Sequence, residues 1–132
     1  MKKHLVNTRK APPAIGPYSQ GIQAGNLIFL SMQLGIDPES KKLAEGGITA
    51  QTRQILSNLK EILRQAGATM EQVIKTTVFI KDMTNFKTVN EIYSRYFEAP
   101  YPVRSVIAIK ELPLSAEIGI DAIALLEVKK GE

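Results

Sequence analysis

Arg104 stands inside the alternating run Tyr101-Pro102-Val103-Arg104-Ser105-Val106. A guanidinium fixed on a strand presents parallel N–H donors to both oxygens of a carboxylate, and such charge-assisted bonds are about twice as strong as neutral ones. An arginine on an exposed strand with no ligand is the plainer alternative. Other polar groups suited to a small anion are Tyr18 in Ile15-Gly16-Pro17-Tyr18-Ser19-Gln20, Ser31 in Ser31-Met32-Gln33, and Asn90 in Val89-Asn90-Glu91-Ile92-Tyr93. Tyr18 combines a hydroxyl that donates or accepts with an apolar ring able to lie against a short side chain. Each also has an ordinary structural role open to it: Tyr18 as a packed turn aromatic, Asn90 as an amide on a helix face, Ser31 as a strand hydroxyl.

The chemistry available is narrowed by what the 132 residues lack. There is no cysteine, so thiolate nucleophiles, disulfides and zinc ribbons are excluded. His4 is the one histidine and sits near a terminus where order is least expected, so neither a histidine-based triad nor a multi-histidine metal site forms within one chain. A general acid or base must then be a carboxylate, a tyrosine, a lysine or a positioned water. Net charge is +4, but the basic residues are scattered and partly terminal (Lys2, Lys3, Lys129, Lys130), which argues against a nucleic-acid groove. No apolar run approaches the ~20 residues of a membrane span, and Met1-Lys2-Lys3-His4 leads into polar sequence, so a soluble cytoplasmic protein is expected. The length suits one domain, residues 1–132, burying about two-thirds of its unfolded surface.

These residues must be held by regular elements. Ile22 to Gln33 reads as two strands meeting at Ala24-Gly25-Asn26. Ile48, Thr52, Ile55, Leu59, Ile62 and Ala66 recur at helical spacing until Gly67 supplies a cap. Thr69 to Gln72 has the form of a capping box around one short turn, and Val73 to Lys81 is a β-branched strand with Thr76, Val78 and Ile80 on one face. Phe86, Val89, Tyr93 and Tyr96, with Ile92 and Phe97, predict a second helix running to Ala99-Pro100, its aromatic stripe read as core. Val103 to Lys110 and Ile118 to Val128 alternate around Glu111-Leu112-Pro113-Leu114-Ser115, predicting a closing hairpin with Ile118, Ile120, Ala122 and Ala124 on one face. The order ββ-α-β-α-ββ predicts an α+β fold with both helices on one side of a mixed sheet. More apolar sheet surface than two helices can cover argues for an oligomer formed through the sheet.

Taken together, Gly16-Pro17-Tyr18-Ser19-Gln20, Ser31-Met32-Gln33, Asn90-x-x-Tyr93 and Pro102-Val103-Arg104-Ser105 followed by Leu112-Pro113 resemble the RidA (YjgF) family over nearly the whole chain. The resemblance implies a chorismate-mutase-like, six-stranded RidA-like domain assembled as a homotrimer with clefts between subunits. It further implies hydrolysis of enamines and imines such as 2-aminoacrylate or 2-iminobutanoate to 2-keto acids and ammonia, with no cofactor and no metal. Carried over residue by residue, Arg104 matches the carboxylate-binding arginine, Tyr18 the tyrosine lining the cleft, Ser31 the serine shaping its floor, and Asn90 a polar residue near its mouth.

The chain departs from the family in two places. Met32 stands where a glycine is common, adding bulk where backbone approaches a ligand. Gly119 stands fifteen residues after Arg104, where the deaminase branch of the family has a glutamate thought to orient the attacking water. Losing a general base costs about 10²–10⁴ in rate. Glu117 and Asp121 flank Gly119 on the same strand face, yet each is displaced about 6.6 Å along the strand; Glu117 is carried as the candidate stand-in. A deaminase and a non-catalytic sensor of a small carboxylate are therefore both open. RNA binding or cleavage, also proposed within the family, has no basic groove or stacking aromatics here to support it.

Overall fold

The computed structural model describes residues 2–127. One mixed sheet of six strands carries the molecule, in the order β1-β2-β3-β6-β4-β5. The strands are β1 (Lys3–Val6), β2 (Gly21–Ala24), β3 (Leu27–Leu34), β4 (Val73–Ile80), β5 (Val103–Ala108) and β6 (Ile118–Leu125), with helices α1 (Gly47–Gln65) and α2 (Phe86–Tyr93). The β4–β5 pair is parallel and every other pair antiparallel.

Local chemistry accounts for most of these elements. The β2–β3 turn is tight because Gly25 takes φ +61, a conformation costly for residues with a Cβ. Helix α1 buries Thr52, Ile55, Leu56, Leu59, Ile62 and Leu63 on one stripe against the sheet. It stops where Gly67, at φ +82, turns the chain and the Ala68 N–H closes onto the Leu63 carbonyl. Alternation in β6 sends Ile118, Ile120, Ala122 and Ala124 into the same core, beside Val78 and Ile80 of β4. The opposite sheet face is uncovered in the single chain, where Phe29 is 43% and Ile107 45% exposed.

Four expectations are corrected. His4 lies not in a loose terminus but in β1, paired with Gln23 of β2. Helix α2 ends at Tyr93 rather than at Pro100, because the Arg95 and Tyr96 N–H groups bond three residues back and the Ser94 hydroxyl donates to the Glu91 carbonyl, tightening the last turn. Phe97 still packs on Tyr93, ring centroids 4.4 Å apart. The last two strands form no hairpin: β5 is a sheet edge beside β4 only, and β6 is inserted between β3 and β4. β6 reaches Leu125, and Val128, like Lys129 and Lys130, lies outside the described residues.

Candidate functional site

Parallel pairing sets Arg104 of β5 beside Thr76 of β4, on the face that α2 covers. Phe86, Asn90 and Tyr93 recur on one side of α2 and meet the guanidinium there. Arg104 Nη1 donates to Asn90 Oδ1 at 2.8 Å. Its Cζ lies 4.9 Å from the Tyr93 ring centroid and 5.3 Å from that of Phe86. Each such cation–π contact contributes about 0.5–1 kcal/mol at an exposed site, enough to oppose much of the ~2 kcal/mol of rotamer entropy that an ordered arginine gives up. The Tyr93 hydroxyl is anchored in turn to Thr76 Oγ1 at 2.7 Å. Burial pushes the Tyr93 phenol above its ordinary range, opposed by the Thr76 hydrogen bond and the Arg104 charge, so it stays neutral beneath the cation. Asn90 is the one hydrogen-bond partner of Arg104 among the described residues, and an arginine has five N–H donors. The side chain lines a cavity of about 440 Å³ bounded by Asn90, Tyr93, Ser94, Tyr101, Pro102 and Arg104.

A second cavity, of about 430 Å³, lies among the 12–18 loop, the end of β3 and the turn before β6. Its lining is mainly apolar: Pro12, Pro13, Ile15, Tyr18, Met32, Leu34, Ile36, Pro113 and Leu114, with Gln33 and Lys41. Buried Gln20 fixes the loop by accepting from the Thr8 N–H at 2.8 Å and donating to the Thr8, Ala11 and Pro12 carbonyls at 3.0, 3.3 and 2.8 Å. The Ser31 hydroxyl donates to the Ser19 carbonyl at 2.5 Å, tying β3 to the residue after Tyr18. Asn58 of α1 donates to the Leu34 and Ile36 carbonyls, holding the far wall. Lys41 and Leu114 adopt φ +62 and +60, strained for residues with side chains, and both border this cavity.

The structure brings Arg104 and Asn90 together, and separately Tyr18 and Met32. The two cavities share no residue. Gly119 lies directly beneath Met32: a Cβ there would stand 2.7 Å from Met32 Sδ. Ser31 borders the second group without lining its cavity, its hydroxyl proton already committed. Glu117 lines neither cavity. It precedes β6, its N–H donates to Gln51 Oε1, and its Oε2 lies 3.6 Å from where a Cβ on Gly47 would stand, at the start of α1. Strand alternation failed to place it because residue 117 is outside the strand.

Reading the aromatic stripe of α2 as core missed that Phe86 and Tyr93 also carry the arginine; Asn90 three residues before Tyr93 was the available signal. Lys41 and Leu114 gave none, since their place depends on backbone conformations that side-chain type does not announce.

A six-stranded mixed sheet with two helices on one face, an arginine presented from its edge and an apolar cavity at the other side makes this an α+β protein with two separate clefts and no metal-ligating cluster among the described residues. The sequence profile described as endoribonuclease L-PSP matches residues 8–126. The chain is 51% identical over 126 residues to the chloroplastic Reactive Intermediate Deaminase A of Arabidopsis thaliana, covering 96% of this chain and 67% of the relative. It is 45% identical to the 2-iminobutanoate/2-iminopropanoate deaminase of Mus musculus, covering 93% and 91%. Among solved structures, a putative endoribonuclease of Thermotoga maritima superposes with a TM-score of 0.93 at 48% identity, covering 97% of this chain and 100% of that one. The chain belongs to the endoribonuclease L-PSP family, the RidA family.

Proposed function

We propose that the protein hydrolyses 2-imino acids and their enamine tautomers to 2-oxo acids and ammonia, using no cofactor, in clefts of a homotrimer. Two relatives at 45% and 51% identity carry deaminase names. The observation that carries the reading is Arg104, held by Asn90 and the Tyr93 ring with donors to spare toward a cavity. In this reading one copy supplies Arg104 and Asn90, and a neighbour supplies Tyr18, Ser31 and Met32.

The substrate carboxylate binds the guanidinium as a fork, which aligns C2 of the imine toward the neighbour's apolar cavity. Water adds to C2, a proton passes to nitrogen, and the carbinolamine collapses with loss of ammonia and formation of the C2 carbonyl. The imine carbon is electrophilic enough that orientation supplies much of the acceleration. The Tyr18 hydroxyl orients the water, and Ser31, whose hydroxyl donates to the Ser19 carbonyl, shapes the floor by tying β3 to the loop that carries Tyr18. No carboxylate is available at position 119, so turnover is slower than with a general base, by up to about 10²–10⁴.

Ammonia release from enzymatically generated 2-aminoacrylate tests the proposal. Turnover that disappears in Arg104→Ala supports it; equal rates in both proteins discard it. A sensor of small 2-oxo acids is the second reading, favoured by Gly119, since removing a carboxylate from beside an anionic ligand strengthens binding while weakening chemistry. Calorimetric binding of 2-oxobutanoate without turnover would select it. The cytoplasm is the compartment we assign, on composition; among the described residues no helix is long and apolar enough to cross a membrane.

A further inference from the structure

We infer that Met32 determines ligand specificity by occupying the side-chain volume of position 119, making the wall of the cavity a thioether and selecting 2-imino and 2-oxo acids with longer apolar side chains. The inference rests on the function proposed above and names its substrate class. Leu34 of β3 pairs with Gly119 of β6, and the register shifts between Leu30 and Gln33, so β3 carries irregular backbone at Met32. Met32 therefore folds over Gly119. A Cβ on Gly119 would meet Met32 Sδ at 2.7 Å, Met32 Cγ at 3.0 Å and Leu34 Cδ2 at 3.4 Å. Real Cβ atoms do not approach that closely, so one of the two positions can hold a side chain in this space and the other must be bare or the methionine must swing away.

The consequence for a ligand follows from what Met32 adjoins. Ile15, Tyr18, Leu34 and Leu114 line the cavity with it, and Lys41 is the one charged residue of that lining. A flexible, polarizable thioether adapts to an apolar group pressed against it, and a short or hydroxylated side chain would leave this wall unfilled or desolvate a hydroxyl without a partner. The volume of about 430 Å³ lies within the roughly 300–1,000 Å³ of pockets that enclose much larger ligands than a three-carbon acid.

The test combines ligand binding with stability. Titration calorimetry on the full chain compares 4-methyl-2-oxopentanoate with 2-oxobutanoate. The branched six-carbon acid is expected to bind at least about tenfold more tightly, a modest discrimination for two added carbons in an apolar pocket. In Met32→Ala that ratio should fall to about twofold or less. An unchanged ratio in Met32→Ala, or tighter binding of the smaller acid by the unaltered chain, overturns the inference. Thermal unfolding supplies a readout independent of any ligand: Gly119→Glu should lower the midpoint in the unaltered chain and do so much less in a Met32→Gly background, whereas equal losses in both show that the two positions share no space. Arg104→Ala separates the two levels of the proposal. If it abolishes binding of both acids while the Met32 variants leave their ratio intact, the specificity role alone fails; if neither acid binds any of these proteins, the functional reading fails with it.

Discussion

A single guanidinium is held here by the Asn90 amide and by the Phe86 and Tyr93 rings. In the proposed reaction Arg104→Ala deletes the charge-assisted bonds to the substrate carboxylate; at about 1.5–3 kcal/mol per bond, kcat/KM for a 2-imino acid should fall by at least about 10²-fold. Asn90→Ala leaves the charge but removes its anchor at 2.8 Å. We expect a smaller loss, about tenfold, borne mainly by KM, because a wandering arginine still attracts the anion. Steady-state kinetics on both variants checks the order; an Asn90→Ala loss equal to that of Arg104→Ala would mean Asn90 contacts the substrate itself. Tyr93 is tested through pH. Burial raises its phenol above the ordinary 10.0, so above that pH the unfolded chain releases a proton that the folded chain retains. Its contribution is therefore intact below pH 10 and is lost as pH rises toward the folded value. Tyr93→Phe should remove that alkaline decline in the unfolding free energy, while lowering stability at pH 7 by about 1–2 kcal/mol through the orphaned Thr76 hydroxyl. Arg104 and Asn90 were legible in the sequence as polar residues in recognisable local patterns. Their meeting was not, because it depends on which strand edge lies beside α2, and no local pattern states that.

The chain leaving β3 at Gly35 passes tightly under α1. A Cβ on Gly35 would stand 2.6 Å from Gln51 Cα and 2.7 Å from its carbonyl oxygen, and these are backbone atoms that cannot rotate away. Gly35→Ala must push α1 off the sheet or bend β3, and should cost about 2–4 kcal/mol, near or above the usual range for overpacking. Chemical denaturation measures it; a loss under 0.5 kcal/mol, within the ordinary scatter of surface substitutions, would mean the contact relaxes freely. The same contact bears on the second cavity, since Asn58 on α1 holds the Leu34 and Ile36 carbonyls that wall it. Periodicity made β2, β3, β4 and α1 legible, since each has an unbroken apolar pattern ending at Gly or a polar turn. It failed for the order of the last two strands. Adjacent alternating runs look alike whether they pair with each other or not, and here β6 satisfies its ladder on both sides with β3 and β4 while β5 is left at the edge. β1 was missed because Lys3-His4-Leu5-Val6 has too few apolar residues to announce a strand; β2 supplies its ladder.

On the scale of the molecule, the decisive fact is that the arginine half and the apolar half lie on opposite faces of the sheet. Arg104 shares its face with Thr76 and α2, whereas Gly119, Leu34 and Met32 lie on the face the helices leave bare. Phe29 and Ile107 project from that bare face, and apolar area of this kind costs about 25 cal/mol per Å² while it stays in water. The proposed homotrimer buries it and, at its boundaries, is what allows one copy's Arg104 to address another's Tyr18. Placing a carboxylate on this surface should then act on both properties at once. Phe29→Glu with Ile107→Glu is expected to convert the assembly to monomers, read by light scattering after size exclusion, because burying unpaired charges at a subunit boundary costs several kcal/mol each. The same double variant should retain its fold by circular dichroism, since neither side chain enters the core. Imine hydrolysis should fall as far as in Arg104→Ala even though both halves of the site are untouched. A monomeric, folded double variant with full activity would show instead that Arg104 and its own chain's cavity suffice, and the division of the site between copies would have to be given up.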